Sequence, residues 1–355
     1  MIAIVLIGIL VLESKSSGEY SITPGQSTPV APLVKVSGVA TNEHPGRILF
    51  TDVDLMALSE WQLLLTHFQK HVQIIPAVDL TDPGVSTSEL DAQGYLEMYD
   101  AKHAAEATAF RAVGWKVPST PTGAVVTSVV DNSSASRAGL AVGDLITGVN
   151  SSSVRNACQM ISSSPPNTTE VLHIDKVKIS SSGHFTYESP TTVRIVTTKL
   201  PKYNQTGCVK ITSVVRSWVG ASFENGFHYS LPATVSINTA NIGGPSAGLA
   251  MTLALINKLS AGSLTGGHVV AATGTISPDG QVGAVGGVEE KAVAVHNAGA
   301  TYFFVPNGGG DVDAAKAADQ PDLTIVPVRS LKQVLADLKR IGGVSPTPLT
   351  KPSDT

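Results

Sequence analysis

Two side chains in this sequence could share one reaction. Ser246 stands in "NIGGPSAGLAMTLALINKL", between Pro245 and Ala247 at the start of a strongly apolar helix. Lys291 stands in "GGVEEKAVAVHNAGA", which reads as a second, short helix. At about 100° per residue, Val288, Lys291, Val295 and Ala298 share one face of it, with Ala292 beside them. Glu289, Glu290, His296 and Asn297 take the polar side. A lysine on an apolar stripe is penalised for its charge, and a neutral amine is a base. A serine at a helix N-terminus, among Gly243, Gly244 and Gly248, has unpaired backbone N–H groups beside it. Such groups stabilise the oxyanion of acyl transfer. The chemistry indicated is nucleophilic attack by serine with lysine as base. Each segment alone has a plainer reading. Ser and Pro are ordinary at helix starts, and a lysine stem can pack while its ammonium reaches water.

"GPSAG" also fits the G-x-S-x-G nucleophile elbow. That turn needs an apolar strand before the serine, where this chain has "SINTANIGG". Asp279 and His296 follow in the right order, but too little chain remains to complete a hydrolase sheet.

The elements that must position these residues divide the chain unevenly. Residues 1–12, "MIAIVLIGILVL", are apolar and uncharged. They are shorter than the roughly 20 residues of a spanning helix and lack the basic start of a signal peptide. They read as part of a membrane anchor, placing the rest outside the cytoplasm. Residues 13–32 are rich in Ser, Pro and Gly and read as a flexible tether. An α/β segment follows over 33–113, packing with the serine-bearing domain. It holds strands "LVKVSGV" and "GRILFTDV", a buried helix in "LMALSEWQLLLTHF", and a long helix ending near Val113. The long helix opens on a capping box from Ser86 to Glu89 and is weakened by Gly94. Residues 114–200 are strand-rich, 201–341 alternate helix and strand, and 342–355 read as a disordered tail.

Composition narrows the function. The net charge is -4 and no basic block occurs, which argues against nucleic acid as the main partner. The two cysteines, Cys158 and Cys208, stand in no metal-binding spacing. They could pair in an oxidising compartment or remain as two thiols. No metal or other cofactor is called for. No G-x-x-x-x-G-K-[ST] phosphate loop occurs.

The serine and lysine segments together resemble the proteolytic domain of the Lon protease family. The resemblance rests on Gly244-Pro245-Ser246-Ala247-Gly248, Thr273-Gly274-Thr275-Ile276, Gly280-Gln281-Val282 and Gly286-Gly287-Val288-Glu289-Glu290-Lys291, and covers roughly residues 208–341. It implies Ser246 as nucleophile, Lys291 as general base, and Thr273 bonding to the lysine amine. The backbone around Gly244, Pro245 and Ala247 would hold the oxyanion. Gly243 and Thr275 depart from the family pattern, which has an acidic residue at the first position and often glutamate at the second.

"SVVDNSSASRAGLAVGDLITGVNSSSV" resembles a bacterial PDZ domain, through Ala138-Gly139-Leu140, Gly143-Asp144-Leu145-Ile146 and Val149-Asn150. A PDZ groove binds a peptide end by strand addition. Val113-Gly114-Trp115 would be its carboxylate loop, with Trp115 lining the groove or packing in the core. The order of anchor, PDZ and Lon-type domain without an ATPase is similar to the membrane-anchored Lon-like PDZ proteases of Gram-positive bacteria. The expectation is therefore an α+β multidomain protein, a PDZ-like β-rich domain followed by a Lon-type α+β domain. It would be an ATP-independent serine endopeptidase acting on proteins or peptides and assembling as a ring. The alternative is a non-catalytic PDZ scaffold with a structural Lon-like domain.

Overall fold

The computed structural model describes residues 13–80, 87–160, 165–180, 184–199, 217–240 and 242–349. Two long strands come first, β1 (Ser16–Pro29) and β2 (Arg47–Ser59). A short helix α1 (Glu60–Thr66), an edge strand β3 (Gln73–Pro76) and the long helix α2 (Thr87–Ala112) follow. A strand-rich unit then holds β4 (Ser119–Val129), β5 (Leu145–Val149), β6 (Thr169–Asp175), β7 (Thr191–Val196) and β8 (Ala221–Tyr229). Beyond it the chain runs α3 (Gly248–Leu259), β9 (Val269–Ala272), α4 (Val288–Asn297) and β10 (Tyr302–Pro306). It closes with α5 (Asp311–Ala317), β11 (Thr324–Val328) and α6 (Leu331–Arg340).

The main sheet is ordered β11–β10–β9–β2–β1–β3. β2, β9, β10 and β11 are parallel, and β1 runs antiparallel to β2 and β3. Distant parts of the chain meet at its centre, where Arg47 pairs with Val269 and Leu49 with Ala271. Strand residues alternate between faces. Ile48, Phe50, Val270, Ala272 and Phe304 join a core with α2, α3 and α6. Leu49, Ala271, Phe303 and Val305 join a second core with α4 and α5. The sheet is thus covered on both sides, which is why "VVAA" and "YFFVP" read as continuous apolar runs. Helix α3 is buried along its whole inner length, Gly248 to Ile256, because the sheet lies on one side and α2 on the other.

Several expectations are corrected here. Residues 13–32 are not a tether. Most of them form β1, whose two neighbours supply backbone hydrogen bonds without needing an apolar sequence. A register shift between Pro24 and Ser27 absorbs the Pro-Gly pair. In "LMALSEWQLLLTHF" the first five residues finish β2, and only Glu60–Thr66 is helical. Ser59 caps that helix, exchanging hydrogen bonds with Gln62. Far from being buried, it exposes Leu64 and Leu65. The expected box from Ser86 lies outside the described residues; Glu89 instead accepts a hydrogen bond from the Val129 N–H (2.8 Å). The tail packs in part: the Val344 N–H donates to Ser263, and Ala261 donates to Thr347. Residues 350–355 lie outside the described residues.

The strand-rich unit is a sheet ordered β7–β6–β5–β4–β8. It therefore extends beyond residue 200, because β8 pairs with β4 from Ala221 to Tyr229. Its "AGLAVGD" turn is held by Asp144, a fully buried carboxylate. Asp144 accepts from the Ala141 N–H (2.9 Å), the Val177 N–H (3.1 Å) and the Lys176 ammonium (2.7 Å). The unit docks on α2 through Leu96, Val125, Val142 and Phe185. The same seam carries Glu97 and Asp100 of α2 near Glu224 of β8. Burial and the neighbouring carboxylates push Asp100 up to about 7.

Phe110 of α2 is fully buried in the first core. Phe110→Ala should cost about 3–5 kcal/mol, measured as loss of stability in urea unfolding.

Candidate active site

Ser246 lies in a single 3-10 turn, Pro245–Ala247, that runs directly into α3. Three bonds fix its backbone. Its carbonyl accepts from the Gly274 N–H (2.9 Å) and the Thr273 hydroxyl (3.4 Å). The Gly244 N–H before it donates to the Gly94 carbonyl of α2 (2.7 Å). Gly94, read as a weak point of a helix, is where α2 crosses the serine loop. A Cβ on Gly243 would stand 3.1 Å from the Gly94 carbonyl carbon. A side chain at position 243 would require the Gly94 backbone to give by a few tenths of an ångström.

Lys291 is 3 % exposed. Burial pulls its amine down to about 8, against the opposing pull of Asp311, Asp52 and Glu290. The carboxyls of Asp52, Glu290 and Asp311 are in turn pushed up by burial. Lys291 is on α4 and Ser246 at the head of α3, on opposite faces of the sheet. They meet because β9 stops at Ala272 while β2 continues. In that gap lies a cavity of about 270 Å³, lined by Ser246 and Lys291 together with Phe50, Asp52, Met98 and Ile242. The structure thus brings the two sequence-derived residues to one cavity. The two side chains share no hydrogen bond among the described residues.

The other expected positions are placed differently. Thr273 is fully buried, but its hydroxyl holds the Ser246 carbonyl rather than the lysine amine. The Gly244 N–H is taken by Gly94, and Pro245 has no N–H. The Ala247 N–H is engaged in closing the 3-10 turn itself, so it too is not open to an oxyanion. Val113 is buried in the first core and Trp115 packs against it. The strand after them is β4. β8 runs along one edge of β4 from Ser119 to Val129, while β5 meets the other edge beside Ala124 and Val125.

Sequence reading missed the contribution of β2. Five consecutive residues, Phe50 to Asp54, line the cavity. β2 pairs with β9 only through Leu49, so past that point its backbone has no strand partner on that side among the described residues. The available signal was Asp52 and Asp54, two carboxylates two apart in an otherwise apolar strand. Asp52 also accepts from the Gln26 N–H of β1 (2.6 Å). Among the described residues no cluster of three His, Cys, Asp or Glu side chains could hold a metal. Cys158 is disulfide-bonded; the only other cysteine in the sequence, Cys208, lies outside the described residues.

Two substitutions test this geometry. Gly243→Ala should lower stability by about 1–3 kcal/mol, the cost of overpacking, seen as a reduced Tm. Lys291 has a folded pKa below its unfolded value, so the unfolded chain binds more protons between about pH 8 and 10. Stability relative to Lys291→Met should therefore rise with pH across that window, in urea titrations at fixed ionic strength.

Residues 210–339 match the Lon protease (S16) C-terminal proteolytic domain, and residues 125–169 match the PDZ domain. The Lon protease of Frankia alni is 36% identical over 118 residues, which is 33% of this chain and 13% of that protein. The Lon protease of Clostridioides difficile is 39% identical over 93 residues, 26% of this chain and 12% of that protein. That of Buchnera aphidicola is 28% identical over 170 residues, 47% of this chain and 20% of that protein. The chain thus spans a fifth or less of the length of these relatives. It is a multidomain α+β protein in which a PDZ domain precedes a proteolytic domain of the Lon serine peptidase type.

Proposed function

We propose that this chain is a serine endopeptidase in which Ser246 is the nucleophile and Lys291 the general base. The observation that carries this reading is one cavity holding a serine at a helix start and a buried lysine whose pKa falls to about 8. The Ser246 hydroxyl attacks a peptide carbonyl and passes its proton to the neutral Lys291 amine. The resulting oxyanion is met by the Ser246 N–H and the N-terminal end of α3. Collapse of the tetrahedral intermediate breaks the C–N bond, and Lys291 returns the proton to the leaving amine. Water, deprotonated by Lys291, then attacks the acyl-enzyme and frees Ser246. The substrate lies as an extended strand beside residues 50–54 of β2, whose free edge supplies backbone donors and acceptors.

In this reading Ser246 and Lys291 carry the peptide hydrolysis themselves, with no nucleotide among the reactants. The disulfide at Cys158 suits an oxidising compartment. With the apolar residues 1–12 it supports an anchored protein whose domains lie outside the cytoplasm. The PDZ unit sits on α2, and α2 touches the serine loop at Gly94. That path would carry a PDZ-bound chain end to the active site.

Casein digestion should fall at least about a thousandfold in Ser246→Ala and in Lys291→Ala. Equal cleavage by the wild type and both variants would refute the dyad. The active lysine is the neutral one, so kcat/KM should rise with pH through an apparent pKa near 8. Asp52 holds the ammonium form; Asp52→Asn should move that limb to lower pH.

A further inference from the structure

Exposed large apolar side chains are concentrated in one stretch of the described chain. Leu55 and Met56 of β2, Leu64 and Leu65 of α1, Phe68 just beyond it, and Val78 are all turned to solvent. Phe68 is 82 % exposed and Val78 74 %. The remaining exposed examples, such as Val130, Val196 and Val344, are scattered through the fold. Single exposed apolar residues need no explanation, and Leu55 and Met56, consecutive on a strand, face opposite ways. Leu64, Leu65 and Phe68, however, gather at the end of α1 and mark a contact surface.

The path of the chain says what the surface meets. Ser16 of β1 pairs with Ser59, and the Glu60 N–H donates to the Lys15 carbonyl (3.0 Å). The chain therefore enters the fold at the foot of α1. Three residues before Lys15 it is the uncharged apolar run "MIAIVLIGILVL". Around the patch are Trp61, the exposed His67 and Lys70, and Lys15 paired with Glu60. Exposed Glu13, Asp54 and Asp79 lie along the same stretch, and leucine and aromatic side chains with charged groups of both signs beside them suit a bilayer interface.

We infer that α1 and the segment through Phe68 form a membrane-contact surface, which inserts its apolar side chains into the leaflet beside the anchor. The contact fixes the protein's orientation on the bilayer and is separate from the catalytic residues. It rests on the anchor reading given above, not on the peptidase reading. The surface commits to lipid; a second copy of the chain is the competing occupant.

The test uses the full chain in vesicles of phosphatidylglycerol and phosphatidylethanolamine. Phe68→Cys and, as a control on the outer strand β7, Val196→Cys each carry an environment-sensitive fluorophore, Cys158 being held in its disulfide. Lipids brominated in their acyl chains should quench the label at position 68 severalfold more than that at position 196. Equal quenching overturns the surface. If the chain still floats with the vesicles in that case, the anchor stands and only the surface fails. If it does not float, both fail. A blue shift at position 68 that grows with protein concentration and ignores brominated lipid assigns the patch to a second copy. Casein digestion by the Phe68→Cys chain should match the wild type in every case, which keeps the peptidase reading separate.

Discussion

An ammonium taken out of water carries its proton at a cost, and the arrangement around Lys291 is built on that cost. Apolar neighbours on α4 and the sheet remove solvent and pull the amine toward neutrality. Asp52, Asp311 and Glu290 work against them. With the carboxylates alone the lysine would be a permanent cation; with the apolar walls alone its burial would leave the charged form uncompensated. The balance puts the amine near the pH at which a base is useful. It also ties three separate regions together, since Asp52 comes from β2, Glu290 from α4 itself and Asp311 from the head of α5.

The serine is governed by backbone instead. Its carbonyl is gripped by Thr273 and Gly274, and its loop by Gly94 of α2. Glycines at 94 and 243 let two backbones approach where side chains would separate them. The helix that makes this contact also forms the platform for the PDZ unit. One element therefore fixes both the position of Ser246 and the seating of the neighbouring domain.

Ser246 and Lys291 were legible because each carries a local signature: a small-residue turn before an apolar helix, and a charge on the wrong face of an amphipathic one. The helices and the parallel strands of the C-terminal half were legible for the same reason, since their apolar runs are unbroken. The partners of the site were not. Asp52 and Met98 reach the cavity through strand order and helix crossing, which no local pattern encodes. β1 was hidden by its Pro, Gly and Ser content, because neighbouring strands supply what its side chains do not. The pairing of β4 with β8, a strand that follows nearly a hundred residues later, was equally invisible to local pattern. Thr273 and Gly244 were assigned by resemblance, and their hydrogen bonds turned out to secure the main chain.

The pairing of β2 with β9 has a consequence for how the protein is made. Arg47 leaves the ribosome long before Val269, and β2 has no parallel neighbour until β9 arrives. Contacts so far apart in sequence form slowly and late. The cavity requires both strands, the serine turn and α4, so it cannot close on a nascent chain. A cavity assembled from segments so far apart in the chain stays incomplete until the later strands have docked.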